Sequence, residues 1–374
     1  MTISRRHLLG CAGAALGALP ARAAAVAQLA APAISVCGVV LPFSGADALI
    51  GDEIWRGIQL AAADSGAITM ETADMPGQSG AAPAVNGLLS AHHPGLLLGS
   101  GLSSLSYPAS AAAELAQVPF IELTAPADGI TARGFKYLLR TGPTTSMTAA
   151  LAVDTIKARF AGKRLGLLFN IGATAGAIAA AVLLALKAAK MPVILAIGYP
   201  EDVADLRDQA GRLMRAKVDV VLHAATLDGA LGFALACRTL DWQPQALIGC
   251  GPGYLYRETP AALAGGLEGA LVIGAPFYPA SAAAIAATYQ ARFGMAPRAA
   301  DSLTAYVGAR LVFDTLASIK GDPAKLLAAL RQLALPKGRL ANGFGVKFDD
   351  SGQNSESFVT LQQWQGAALR PAMG

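Results

Sequence analysis

Ser103, Ser104 and Ser106 follow a Gly99-Ser100-Gly101 turn, and Thr124-Ala125-Pro126 stands farther along the chain. Hydroxyls beside small residues in this pattern can hold an anion or a polar oxygen, because side-chain donors and unshielded backbone N–H groups come together. The sequence offers the serines no base partner, so helix capping or ligand binding is expected rather than nucleophilic attack. Other chemistry is poorly supplied. No Walker A pattern, HExxH or paired CxxC occurs. Gly99-Ser100-Gly101 and Gly249-Cys250-Gly251-Pro252-Gly253 stop short of GxGxxG and read as strand-to-helix turns that need positive φ. His92 and His93 read as a solvated pair in a loop, and His223 as a core or cleft residue. Neither spacing suggests a metal site. The expectation is a binding protein that needs no cofactor or metal, and not an enzyme.

These residues need a scaffold, and the flanking pattern supplies one. The apolar run 96–98 reads as a strand buried on both faces, 108–117 as a helix and 119–123 as a second strand. Parallel strands joined by a helix put the serines and Thr124 at their carboxyl ends, where open α/β sheets bind ligands. Upstream, the pattern predicts strands over 34–42 and 68–74, and helices over 52–64, with acidic residues in its first turn, and 82–92. After Gly142-Pro143 the alternation restarts, with Thr144 as the cap of a helix to about 160. Strands are expected over 164–170, 192–198, 218–225, 246–250 and 271–277, with helices over 176–190, 202–216 and 228–240. The last third predicts helices over 281–293 and 301–320, each opened by an N-cap residue. A third helix starts at Asp322-Pro323, and late strands follow over 345–348 and 358–363. This is an α/β chain with two doubly wound parallel-sheet lobes and a switch near Gly142.

With 374 residues, 54% hydrophobic and 14% charged, the chain has material for two cores and too little charge for disorder. No internal run of ~18 apolar residues occurs, so no membrane-spanning helix is expected beyond the N-terminus. The formal charge of +4 includes Arg5, Arg6 and Arg22 of a leader, and the remainder carries 26 basic against 25 acidic residues. That balance gives no reason to expect a nucleic-acid or membrane-surface partner. Residues 1–23 read as a cleaved export signal ending in Ala21-Arg22-Ala23. Ser4-Arg5-Arg6-His7-Leu8-Leu9 resembles a twin-arginine signal, an ordinary secretory signal being the alternative. The mature protein is therefore expected in the periplasm. Leu8-Leu9-Gly10-Cys11 imitates a lipoprotein site but precedes most of the apolar run, so lipidation is not expected. Residues 24–33 are a low-complexity Ala/Pro tail. Of the remaining cysteines, Cys37 is expected as a buried thiol, while Cys237 and Cys250 flank a helix-to-strand connection where a bridge is open.

The chain resembles the periplasmic solute-binding proteins of branched-chain amino-acid ABC transporters. The resemblance rests on Leu41-Pro42-Phe43-Ser44-Gly45, Gly51-Asp52 and the serine-rich turn. Thr131-Ala132-Arg133-Gly134, Leu139-Arg140-Thr141 and Val218-Asp219-Val220-Val221 also match, as does Phe344-Gly345-Val346-Lys347-Phe348-Asp349. It spans roughly 34–365. It implies the type I periplasmic binding fold, with 34–142 plus about 275–336 as lobe one and 143–274 plus about 337–374 as lobe two. A three-segment hinge would join them. It further implies a monomer that captures a small molecule and delivers it to an inner-membrane ABC permease. A periplasmic sensor, or a carrier of an apolar metabolite such as a lipid, is the alternative on the same fold. The family's usual first-lobe disulfide is absent, with Leu102 in its place.

The resemblance also places a site. Ser103, with Ser104 beside it, and the backbone at Thr124 and Ala125 fit the roles that hold a ligand α-carboxylate. The partners of the ammonium fall on Pro126 and about Gly251, which cannot serve. Pocket tyrosines fall near Ile50, Thr174 and Thr226, all smaller. Asn170 is a further candidate contact, and Trp55, Phe169 and Tyr254 are candidate aromatic walls or core residues. The expected ligand is not a standard α-amino acid but a bulkier, less polar or aromatic carboxylate solute.

Overall fold

The computed structural model describes residues 36–66, 68–263, 267–366 and 368–372. The expected leader, Cys11 and the 24–33 tail lie outside the described residues. The first sheet contains β1 (Val36–Leu41), β2 (Thr69–Asp74), β3 (Leu96–Gly99), β4 (Phe120–Glu122) and β5 (Leu138–Arg140). Its order is β2-β1-β3-β4-β5 and every neighbouring pair is parallel. Helices α1 (Ala48–Ser65), α2 (Gln78–His92) and α3 (Ser103–Leu115) make the crossovers. β3 and β4 are buried throughout, which is why they read as unbroken apolar runs.

The second lobe opens with α4 (Thr145–Arg159), β6 (Leu165–Asn170), α5 (Ala173–Ala188) and β7 (Val193–Tyr199). It continues through α6 (Arg207–Arg215), β8 (Val220–Ala224), α7 (Leu227–Thr239), β9 (Ala246–Cys250), α8 (Glu258–Ala262) and β10 (Leu271–Gly274). Thr144 caps α4, its Oγ1 accepting from the Met147 amide at 3.2 Å. The chain then runs through α9 (Ala283–Phe293), α10 (Ala300–Ser318) and α11 (Pro323–Arg331) to β11 (Thr360–Gln365) and β12 (Ala368–Pro371). The second sheet has the order β12-β11-β10-β9-β8-β6-β7. Its parallel part repeats the winding of the first sheet, and β11 and β12 add an antiparallel edge. Each sheet thus has a switch point, between β1 and β3 and between β6 and β8, where a crevice opens at the strand ends.

The late helices return to the first sheet. Ala305, Ala309, Val312 and Phe313 of α10 share a core with Val39, Leu97 and Ile121. At Gly57 a Cβ would stand 2.1 Å from the Ser302 carbonyl oxygen, so only glycine lets α1 and α10 approach this closely. Asp322 caps α11 through the Ala324 amide at 3.0 Å, with Pro323 at its first position.

Several expectations need correction. α3 begins at Ser103, so the serines occupy its first turns and Pro108 lies inside it, where it removes one backbone donor. α1 begins before Asp52, which therefore lies in its second turn with Glu53. α6 starts only at Arg207. Residues 345–348 do not join the second sheet. Val346 bridges Leu335, Phe348 bridges Asn354, and both pack into the first core. The open Cys237–Cys250 bridge does not form. Cys250 faces the core with Ile248 and Ala224, while Cys237 packs with Phe233 and Leu168 on the other face of the sheet. Burial raises both thiols to about 12, which leaves them unreactive.

Candidate functional site

The two switch points face one cavity. Ile50, Gly101, Leu102, Thr124 and Pro126 line it from the first lobe. Thr148, Thr174, Ile178, Gly251, Leu255 and Ile273 line it from the second, and Asp301 and Thr304 reach it from the start of α10. Gly101 and Gly251 have φ of +94° and +89°, so these turns do need glycine. The cavity measures about 80 Å³. That is smaller than an apolar cavity of ~150 Å³ that admits benzene.

The backbone amides expected to hold a carboxylate are already engaged. The Ser103 amide, at the first turn of α3, donates to Thr174 Oγ1 across the cleft at 3.0 Å. The Ser103 hydroxyl accepts from the Ala127 amide at 3.2 Å. The amides of Thr124 and Ala125 donate to Glu122 Oε1 at 3.1 and 2.9 Å. Glu122 also accepts from the Ser100 amide and hydroxyl and from the Ser106 hydroxyl at 2.6 Å. It is fully buried at the end of β4. Five donor groups around an acceptor-only side chain suit a carboxylate. Arg140, near enough to feel the Glu122 charge, donates to the carbonyls of Ala125 and Ala127. Burial lowers the Arg140 pKa to about 10, with the Glu122 charge opposing the shift.

The other end of the cavity carries an acid that the sequence reading gave only as a helix cap. Ala299 takes the N-cap position of α10, and Asp301 accepts the Tyr256 hydroxyl at 2.7 Å instead. Burial raises the Asp301 pKa to about 6, the Tyr256 bond lowering it and Glu53 raising it. Glu53 is itself held by Ser302, Tyr289 and the amides of Arg298 and Ala299. Thr304, one turn beyond Asp301, is 3% exposed and its hydroxyl has no partner among the described residues. Among the described residues Asp301 is the ionisable one of the cavity lining, and no basic side chain lines it. Burial also raises Asp47, with Glu201 and Asp228 adding to the shift.

Of the remaining candidates, Ser104 is half-buried in the first turn of α3. Thr226 caps α7 through the Gly229 amide at 3.4 Å and does not line the cavity. Asn170 ends β6 fully buried, its Oδ1 accepting from the Gly172 amide at 2.8 Å. The aromatic walls are absent from the lining. Trp55 stacks edge-on with Phe43 at 6.0 Å, and Phe169 packs against the second-sheet core. Tyr254 is core, its hydroxyl bonded to His223, whose other ring nitrogen lies 2.9 Å from the Tyr199 hydroxyl. Burial lowers His223 to about 3, so it stays neutral in this network. His92 and His93 are exposed, His92 lying 3.7 Å from Glu71.

The sequence profile of the periplasmic binding proteins matches residues 36–368. The chain belongs to the periplasmic binding protein family. A Leu/Ile/Val-binding protein homologue of Brucella suis biovar 1 is 30% identical, over 96% of this chain and 94% of its own. In structure, this periplasmic binding protein resembles a leucine-binding protein of Thermotoga maritima, with a TM-score of 0.81 and 17% identity, covering 91% of this chain and 98% of that one. It also resembles an ABC-transporter solute-binding protein of R. palustris solved with benzoate, with a TM-score of 0.77 and 21% identity, covering 91% and 97%. Both neighbours share the type I periplasmic binding fold.

Proposed function

We propose that this protein captures a compact, mostly apolar solute between its lobes and presents it to an inner-membrane ABC permease, acting as a monomer without any chemical step. The solute is not an ordinary α-amino acid. The observation that carries this reading is the occupancy of the carboxylate position: Glu122 takes the Thr124 and Ala125 amides, and Thr174 takes the Ser103 amide. A ligand carboxylate there would meet a second carboxylate, with the three backbone amides already taken. The benzoate-bound R. palustris neighbour supports the wider point that the fold serves solutes other than amino acids. The cavity size favours a compact body over a lipid chain. Capture would use closure, which binding favours by differential affinity for the closed state.

A thermal-shift screen over amino acids, aromatic acids, amides, amines and lipids tests the reading. A stabilising solute outside the amino acids is the expected outcome, and stabilisation by amino acids or lipids alone would contradict it. The leader fits export by the twin-arginine route with cleavage after Ala23. N-terminal sequencing of the periplasmic protein should find a shortened chain, and Arg5→Lys with Arg6→Lys should block its export.

A further inference from the structure

Two polar side chains line the cavity from the first turns of one helix, and the described residues leave hydrogen-bonding capacity on both unused. Asp301 and Thr304 are three residues apart on α10 and therefore neighbours on its surface. The rest of the lining combines Ile50, Leu255 and Ile273 with Thr124, Thr144, Thr148 and Thr174, whose hydroxyls are each bonded within the protein. The Tyr256 hydroxyl, on a fully buried ring, holds Asp301 Oδ2 and so fixes the carboxylate from one side. Asp301 Oδ1 has no such bond among the described residues. The Thr304 hydroxyl is buried without a partner among the described residues. A hydroxyl left in this state costs free energy that a bound polar group can recover. Charge narrows the choice of group. Glu53 lies behind Asp301 and Glu122 behind the Thr124 turn, and among the described residues no basic side chain lines the cavity.

From this geometry we infer that Asp301 and Thr304 form the polar subsite that sets specificity, and that it takes the N–H end of a carboxylate-free solute, a primary ammonium or amide on a compact apolar body. The inference rests on the receptor reading above and deepens it. The solute N–H donates to Asp301 Oδ1. The Thr304 hydroxyl accepts from an ammonium or donates to an amide carbonyl. Ile50, Ile178, Leu255 and Ile273 enclose the body.

The test is calorimetry on the whole mature protein at pH 7.5 with two matched sets: isobutylamine, isobutyramide and isobutyrate, then benzylamine, benzamide and benzoate. Wild type, Asp301→Asn and Thr304→Val are compared. In at least one set the amine or amide should bind, and the carboxylate of the same body should bind at least ~10-fold more weakly, the scale of one charge-assisted hydrogen bond. Asp301→Asn should weaken the amine by ~10-fold or more. Thr304→Val should weaken the amide several-fold while the ligand-free Tm holds or rises, which a merely structural role would not give. Tightest binding by a carboxylate, a best ligand indifferent to both substitutions, or no binding of any nitrogen compound would overturn the inference. A solute that closes the cleft yet ignores both substitutions would sink this subsite and leave the receptor reading standing. Failure of every solute to close the cleft would sink both.

Discussion

At the scale of single residues, the site turns on two acids. Glu122 gathers five donor groups and offsets Arg140, so removing it strands buried donors and a buried charge. Glu122→Ala should destabilise the protein by about 1–3 kcal/mol, the cost of leaving buried donors unsatisfied, measured by urea unfolding. A loss below about 1 kcal/mol would show that the network carries little. Asp301 gives a pH signature. Its pKa is raised from 3.8 to about 6, so the folded state holds the proton more tightly than the unfolded chain. Its stabilising contribution is fully present below pH 3.8 and is lost as pH rises through about 6. That loss is at most about 3 kcal/mol, less with the solvent that reaches a half-buried group. Asp301→Asn cannot ionise and should flatten the stability profile between pH 4 and 7; an unchanged slope would contradict this. Neither acid was legible as functional. Glu122 follows Phe120-Ile121 in a strand otherwise apolar, and an acid in such a run was the available signal. Asp301 opens a helix and so read as a cap, a role its sequence position allows and its geometry does not use.

At the scale of elements, most boundaries were legible because period and capping agreed. Thr144 and Asp322 cap the helices that the sequence assigned to them. The errors came where a local signal conflicted with packing. Pro108 suggested a helix start, yet α3 runs through it because the Ser103 turn is anchored by Leu102 and Ala127. Residues 345–348 alternate like a strand, yet they pair only by isolated bridges within the first lobe. The position of Asp301 depends on α10 lying against α1, and that contact rests on Gly57. Gly57→Ala should push the helices apart and cost about 1–3 kcal/mol, as overpacking does. An unfolding midpoint equal to wild type would mean that the helices can yield at no cost.

At the scale of the whole molecule, the doubled winding order was readable from the repeated β-α-β pattern, and the return of the late helices to the first sheet was not. That return is made by long-range packing of Val312 and Phe313 into the first core, which no local pattern encodes. The chain therefore passes between the two sheets more than once, an arrangement suited to hinge motion. Small-angle scattering should show a smaller radius of gyration with a bound solute than without, and no change at saturation would argue for a rigid carrier. The central claim is that the α-carboxylate position is filled from within, by Glu122 and Thr174. Calorimetry with leucine, isoleucine and valine at neutral pH tests it most directly. No saturable heat below about millimolar concentration is predicted, since a carboxylate without its charge-assisted bonds forfeits roughly 1.5–3 kcal/mol for each. Micromolar or tighter binding of any of the three would contradict the account.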